Sequence, residues 1–535
     1  MPYVSACLAI LALSYILFRV AFSRHSTIEH VPGPPSPSWI YGNLLNLLLP
    51  VTYGDHEFAW QKQYGAVYRI KACFGVSSLL FNPLSRSFHI PLQADRLVVS
   101  DPLSLQFILR GTSFKHGPTL ENAVTTVFGK KALASLQGEP HQRARAILNR
   151  AFTANAVRQF QPIFERTTQM MAAQLEESLM AGPLTDICSA LFAPTLSAIA
   201  EAAFGCTLEE MGDELITQHR HAIVMVASRS RAHILAEVLY AYLPSYMLRF
   251  ALFLPTSAFR NLRRYTIVTR KLGERLVSGK LEASRRGLEM DNDIYSSLLH
   301  PDASQEEKDA MTACEVATQT AMFLIAGQET TANTLALGLY ELAKNIDFQE
   351  ELRAEIYSAI GGDIAYDSMP LLNAFIKETL RMHPVTPLTE QVATEDTVLP
   401  LSHAIMTTSG ERISEIPIRR GQIIMMAHAS YQRRESLWGS DAGEFKPSRW
   451  TDGTTYKGDA LGPYANLLSF LGGPRACLGW RFAILEMQVV IFGLVRKFSF
   501  TLPEDDSVRP CLAGTLMPAM ANGNKGCPLL VSCLL

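Results

Sequence analysis

The sequence carries almost no imbalance of charge: 48 Lys and Arg stand against 50 Asp and Glu, a formal net charge of −2 over 535 residues. A basic field for a nucleic-acid backbone is excluded, and so is an acidic interaction tail. Nine Cys are scattered from Cys7 to Cys533, without a Cys-x-x-Cys pair and without zinc spacing. An odd, widely spaced set argues against a secreted disulfide framework and for a reducing compartment. The Gly-x-Ser-x-Gly elbow, His-Glu-x-x-His, the phosphate-binding P-loop and the Gly-rich dinucleotide fingerprint are all missing. So are internal repeats and long low-complexity tracts. With 48% hydrophobic and 18% charged residues, the chain is not mainly disordered. It is long enough to bury a large core and still hold an apolar cofactor.

What is present begins with an apolar run. Tyr3 to Phe18 reads YVSACLAILALSYILF, without a charge, and continues past Arg19 to Phe22. Positive charge follows the run (Arg19, Arg24, His25) instead of preceding it, unlike a cleaved signal peptide. The run predicts a single-pass membrane anchor over 1–22, with the remainder of the chain in the cytosol. A buried or interfacial helix is the other reading. VPGPPSP, Val31 to Pro37, predicts a stiff Pro-rich linker over 23–38, which leaves 39–535 as the folded body. A second apolar stretch, Val238 to Ser257, is interrupted by Pro244 and Arg249. It reads as core helix plus loop, or as a surface that dips into a bilayer.

Within the body, AVYRI and DRLVVS are short β-like runs. From about 139 to 360 apolar residues recur at helical spacing, and 385 to 430 is β-like again. Thr312 to Lys344 is the longest candidate helix, about 50 Å if continuous. Leu478 to Lys497 is another. Many helices with small sheets set to one side predict an α+β, mainly α fold.

The most informative segment is SFLGGPRACLGWRFAILEM, Ser469 to Met487. Cys477 follows a Gly- and Pro-rich loop and precedes a helix, with Arg475 close in sequence, a setting that favours a thiolate. Gly473 and Gly479 allow a flat ligand to approach the backbone, and Phe470 can pack beside the sulfur. A lone Cys near a helix start is ordinarily a buried thiol. The spacing Phe470, Gly473, Arg475, Cys477, Gly479 is not ordinary. It resembles F-x-x-G-x-R-x-C-x-G of the cytochrome P-450 family, the haem-thiolate monooxygenases, in their membrane-anchored eukaryotic form, and the style of the motifs resembles fungal members. Leu471 stands where a small or polar residue is commoner.

The resemblance extends over nearly the whole body and implies the P-450 fold, with a long central oxygen-binding helix and haem b (iron protoporphyrin IX) as cofactor. It makes Cys477 the axial iron ligand and Arg475 a haem-propionate contact. Glu378 and Arg381 in FIKETLRMHP, with Arg449 in FKPSRW, would form a buried structural network. FLIAGQETTANTL would be the oxygen motif: Gly327 leaves room for dioxygen, Thr330 hydrogen-bonds it and Glu329 relays protons. His141 and Arg145, one turn apart, would reach a propionate. Gln391 replaces an Arg that often completes the propionate clamp. VSSLLFNPLSRSFHIPLQ, residues 76–93, is an insertion: a surface loop, or the translation of a retained intron.

By the same likeness the substrate pocket draws on the Phe114 to Ala132 loop and on Met322, Phe323, Ala326, Val385, Thr386, Leu388, Leu516 and Met517. Each is as well explained by core packing. Their apolar character favours a lipophilic substrate, a terpenoid or other fungal secondary metabolite first. The implied partners are an NADPH-dependent cytochrome P-450 reductase, cytochrome b5 as a possible second donor, and the endoplasmic-reticulum bilayer. No nucleic acid is expected. Three readings stand: a monooxygenase that hydroxylates or epoxidises, a haem-thiolate isomerase or lyase that needs no reductase, and a non-catalytic haem-binding or scaffold protein. Glu329 with Thr330 favours the first.

Overall fold

A computed structural model describes residues 27–73, 95–227, 230–242, 256–288, 292–299, 310–362, 364–453 and 460–534. The expected anchor over 1–22 and the 76–93 insertion lie outside them, as does most of the second apolar stretch. The chain forms two compact units.

The first unit comprises residues 1–123, 228–255 and 386–431. Its centre is a five-stranded sheet in the order Val67–Ile70, Arg96–Val99, Ile423–Ala427, Leu388–Ala393, Phe114–His116. Arg96–Val99 pairs parallel with Ile423–Ala427, and the other neighbours are antiparallel. Arg96–Val99 is buried at every position, which a central strand requires. A two-stranded ribbon, Thr397–Met406 with Arg412–Ile418, belongs to the same unit. Of the expected 23–38 linker, the described residues 27–38 are not a free spacer. Ile28 and Val31 are fully buried, and the Val31 and Pro32 carbonyls accept from the Arg69 side chain and backbone N–H. A Cβ at Gly33 would stand 1.8 Å from the Arg69 carbonyl oxygen. The folded body therefore starts before residue 39.

The second unit comprises residues 124–227, 256–385 and 432–535 and is mainly helical. The Thr320–Lys344 helix runs through its core and packs against Ile187–Phe204, Trp480–Lys497, Pro370–Met382 and Ser257–Arg285. Ile187–Phe204 is apolar and long enough to cross a membrane by composition, yet 72% of it is buried inside the protein. It is a core helix.

The helix expected over Thr312 to Lys344 is two helices, Ala313–Thr318 and Thr320–Lys344, and the longest helix described is Ser257–Arg285. Gln319 makes the break. Its backbone N–H bonds to the Val316 carbonyl, while its side chain takes the Glu315 carbonyl at 2.9 Å. The same amide reaches the Lys131 carbonyl and accepts from the Leu133 N–H. A side chain that replaces the backbone donor tightens the turn and ends the α-helical ladder. The Phe114 to Ala132 segment, expected as a loop, holds the strand Phe114–His116 and the helix Pro118–Phe128.

Candidate active site

Cys477 sits between a one-turn helix, Gly473–Arg475, and the Trp480–Lys497 helix. Its backbone N–H donates to the Phe470 carbonyl at 2.8 Å, which closes the loop on itself. Gly473 has φ +64°, where a side chain would be strained. Leu471 also has positive φ, 55° with ψ −166°, a region that normally only Gly occupies.

The Cys477 residue is exposed at its surface although protein atoms crowd the sulfur. That crowding pushes its thiol up, and the Gly479 N–H and the Arg145 charge pull it down. Burial outweighs the helix start, against the sequence expectation of a thiolate in the protein alone. The cation that acts on the sulfur is Arg145. Arg475 donates to the Leu136 carbonyl at 2.6 Å. The two guanidiniums are close enough that Arg145 lowers the pKa of Arg475, after burial. Among the described residues neither has a carboxylate partner. His141 is buried on the same helix face as Arg145.

One exposed cysteine residue on a locked turn, flanked by uncompensated cations, suits a flat metal-centred group bearing two carboxylates. Haem meets that description, and metal coordination would deprotonate the thiol.

A second cluster supports the loop. Glu378 Oε2 and Oε1 accept Arg381 Nε and Nη2, both at 2.8 Å. Oε1 also accepts Arg449 Nε at 2.9 Å and the Lys446 N–H at 2.7 Å, and Oε2 accepts Trp450 Nε1 at 2.9 Å. Burial would push this carboxyl up, but Arg381, Lys446 and Arg449 hold it below the usual carboxylate range. Arg381 spends its remaining donors on the Gln432, Ala442 and Glu444 carbonyls. Gln432, fully buried, then accepts from the Leu468 N–H and donates to the Leu380 and Arg381 carbonyls. The network thereby reaches the turn whose Phe470 carbonyl holds Cys477. Sequence spacing singled out neither Gln432 nor Trp450. A Gln has no motif spacing of its own, and its role appears only with the fold.

On the Thr320–Lys344 helix, Ala326 is exposed in an otherwise buried stretch. The Thr330 hydroxyl donates to the Ala326 carbonyl at 2.7 Å. Glu329 points elsewhere, toward Thr515 and Lys525. Gly327 does not face open space: a Cβ there would lie 2.5 Å from Ile199 Cγ1. It is a helix-packing glycine, not room for dioxygen.

Of the pocket candidates, Met322 and Phe323 belong to the core cluster, and Phe323 packs against Phe152, Phe204 and Tyr295. Val385, Leu516 and Met517 are buried too, with the Leu516 N–H donating to the Val385 carbonyl. Thr386, Leu388 and Gln391 lie in the first unit and are half-buried.

The cytochrome P450 family model matches residues 90–525. The chain belongs to the cytochrome P450 family. It is similar to cytochrome P450 monooxygenase 91 of Postia placenta, 29% identical over 99% of this chain and 98% of that protein. It also resembles ganoderic acid synthetase CYP5150L8 of Ganoderma lucidum, 26% identical over 94% of each chain. Cytochrome P450 monooxygenase claP of Ampulloclitocybe clavipes is 27% identical over 91% of this chain and 89% of that protein. This P450 is therefore an oxidoreductase of the monooxygenase class, and membership implies a haem-iron cofactor. Its fold is mainly helical with small sheets, as expected.

Proposed function

We propose that this P450 binds haem b through Cys477 and inserts one oxygen atom into a lipophilic fungal secondary metabolite, with a terpenoid favoured. Electrons would come from an NADPH-dependent P450 reductase, with cytochrome b5 as an auxiliary donor. An N-terminal anchor over 1–22 would hold the catalytic body on the cytosolic face of the endoplasmic reticulum. The observation that carries the reading is Cys477, a residue exposed on a turn locked to Phe470 and flanked by Arg145 and Arg475.

Bound there, haem supplies reductive dioxygen activation with electron donation from the thiolate. The chain's own groups do the rest. Arg145 and Arg475, with His141, would take the propionates, because planar guanidiniums suit carboxylates. The Glu378–Arg381–Arg449 network would hold the turn that carries Cys477. Thr330 would present a hydroxyl beside exposed Ala326, and Glu329 would move protons in a dry site. The relatives' names, a ganoderic acid synthetase among them, support the metabolite class.

The test is expression with a reductase in a host fed candidate terpenoids. A reduced-CO band at the thiolate-ligated position and an oxygenated product are expected, and both should vanish in Cys477→Ala. A band that survives that substitution overturns the reading.

A further inference from the structure

Glu329 and Thr330 are neighbours in sequence but face different partners. Glu329 Oε1 accepts the Thr515 hydroxyl at 3.4 Å, and that hydroxyl accepts Asn333 Nδ2 at 3.1 Å. Lys525 Nζ stands 3.8 Å from the same oxygen. Thr515 opens the strand Thr515–Ala519, and the Lys525 backbone bridges to Ala519. One C-terminal β segment thus supplies both groups that hold the acid. The carboxylate side chain is 4% exposed and the Lys525 side chain 23%, so the lysine runs from the buried acid toward solvent.

The charged and titratable groups around this pair are few. At the start of the Ile187–Phe204 helix, the Cys188 thiol feels both Asp186, which raises it, and Lys525, which lowers it, after burial. Asp186 is already engaged by the N–H groups of Cys188, Ser189 and Cys527. His219 faces Gln328, and burial holds it neutral. Among the described residues, Glu329 is the one carboxylate in ion-pair range of Lys525.

We propose that Lys525 is a positioning residue of the oxygenation chemistry, anchoring Glu329 at the point where this buried acid meets solvent, so that protons enter the site along Lys525 and Glu329. The proposal rests on the reading of Glu329 as the proton carrier. A hydronium ion from solvent protonates the Glu329 carboxylate and leaves water. The carboxyl then passes that proton toward the reacting oxygen beside Thr330 and returns to carboxylate, and no electron moves. Contacts of 3.4 and 3.8 Å are long, so the side chain can leave Lys525 and swing back. Burial raises the Glu329 carboxyl, while Lys525, Thr515 and Asn333 lower it. The lysine therefore opposes burial, which is the larger influence on this acid.

The experiment compares full-length holoenzyme with Lys525→Met, Lys525→Arg and Glu329→Gln. The infrared carboxyl band missing in Glu329→Gln reports Glu329 directly. Removing an opposite charge at this range should raise its titration midpoint by about one pH unit or more in Lys525→Met. Lys525→Arg should restore it. With a purified reductase and NADPH but no added substrate, the solvent deuterium isotope effect on NADPH consumption should rise in Lys525→Met alone of the two lysine variants. If Lys525→Met loads haem poorly, Lys525→Gln is read the same way. An unchanged midpoint overturns the proposal, as does a shift that Arg fails to reverse. The reduced-CO band is recorded throughout: its absence from the wild type defeats the haem-thiolate reading, while the Lys525–Glu329 coupling is still read in the infrared.

Discussion

The backbone N–H of Cys477 is bonded to the carbonyl oxygen of Phe470 at 2.8 Å, and the residue that directly follows that carbonyl, Leu471, is held at φ 55° and ψ −166°. The loop closes on its sulfur at the expense of a backbone conformation that an L side chain rarely adopts. Such strain costs of order 1–3 kcal/mol. Leu471→Gly should relieve it, whereas Leu471→Ala loses the same side-chain packing and keeps the strain. We expect the Gly variant to be more stable than the Ala variant by about 1–2 kcal/mol, read by denaturant unfolding. Equal stability of the two would show that the loop is not strained at this position.

Glu378 accepts five hydrogen bonds from four residues while fully buried. Removing one partner strands the others, at about 3–5 kcal/mol. Glu378→Ala and Arg381→Ala should yield haem-free, poorly folded protein, and normal haem occupancy in either would refute the role. The folded carboxyl lies below its unfolded value. Its contribution is therefore complete above about pH 4.3 and fades as pH falls through the depressed folded value. Acid unfolding of the wild type should carry this signature.

Both regions were legible in the sequence, while the residues that brace them were not. The spacing around Cys477 and the three network residues stood out as motifs, and the strands at Val67–Ile70 and Arg96–Val99 followed from β-branched runs. The break at Gln319 did not, because helical periodicity runs straight through it. Only the Lys131 and Leu133 backbone, distant in sequence, shows why that amide leaves the ladder. Gln432 was invisible for the same reason. Gly327 was misread because a helical glycine signals close approach without saying what approaches, and here it is Ile199.

That correction is testable. Gly327→Ala would force a methyl to 2.5 Å from Ile199 Cγ1, and overpacking of this kind costs about 1–3 kcal/mol. Shortening the neighbour with Ile199→Ala should return part of the loss in the double variant. Thermal unfolding of the two single variants and the double variant measures it. Strictly additive losses would mean that the two residues do not collide.

Glu486, nine positions past Cys477 on the Trp480–Lys497 helix, is 1% exposed, and among the described residues neither carboxylate oxygen meets hydrogen-bond geometry with another group. Burial pushes its pKa up to about 8, against the opposing pull of the Thr331 hydroxyl on the facing helix. A folded value above the unfolded one, roughly 4.3, means that the native state binds the extra proton across the interval between them. Stability must then fall as pH rises from about 4.3 to the folded value, and level off beyond it. Glu486→Gln keeps the shape and cannot ionise. It should match the wild type near pH 4 and exceed it by a few kcal/mol (order of magnitude) at pH 8, as measured by denaturant unfolding at both pH values. A variant no more stable than wild type at pH 8 would mean that Glu486 finds, within the helix pair, a partner for its charge.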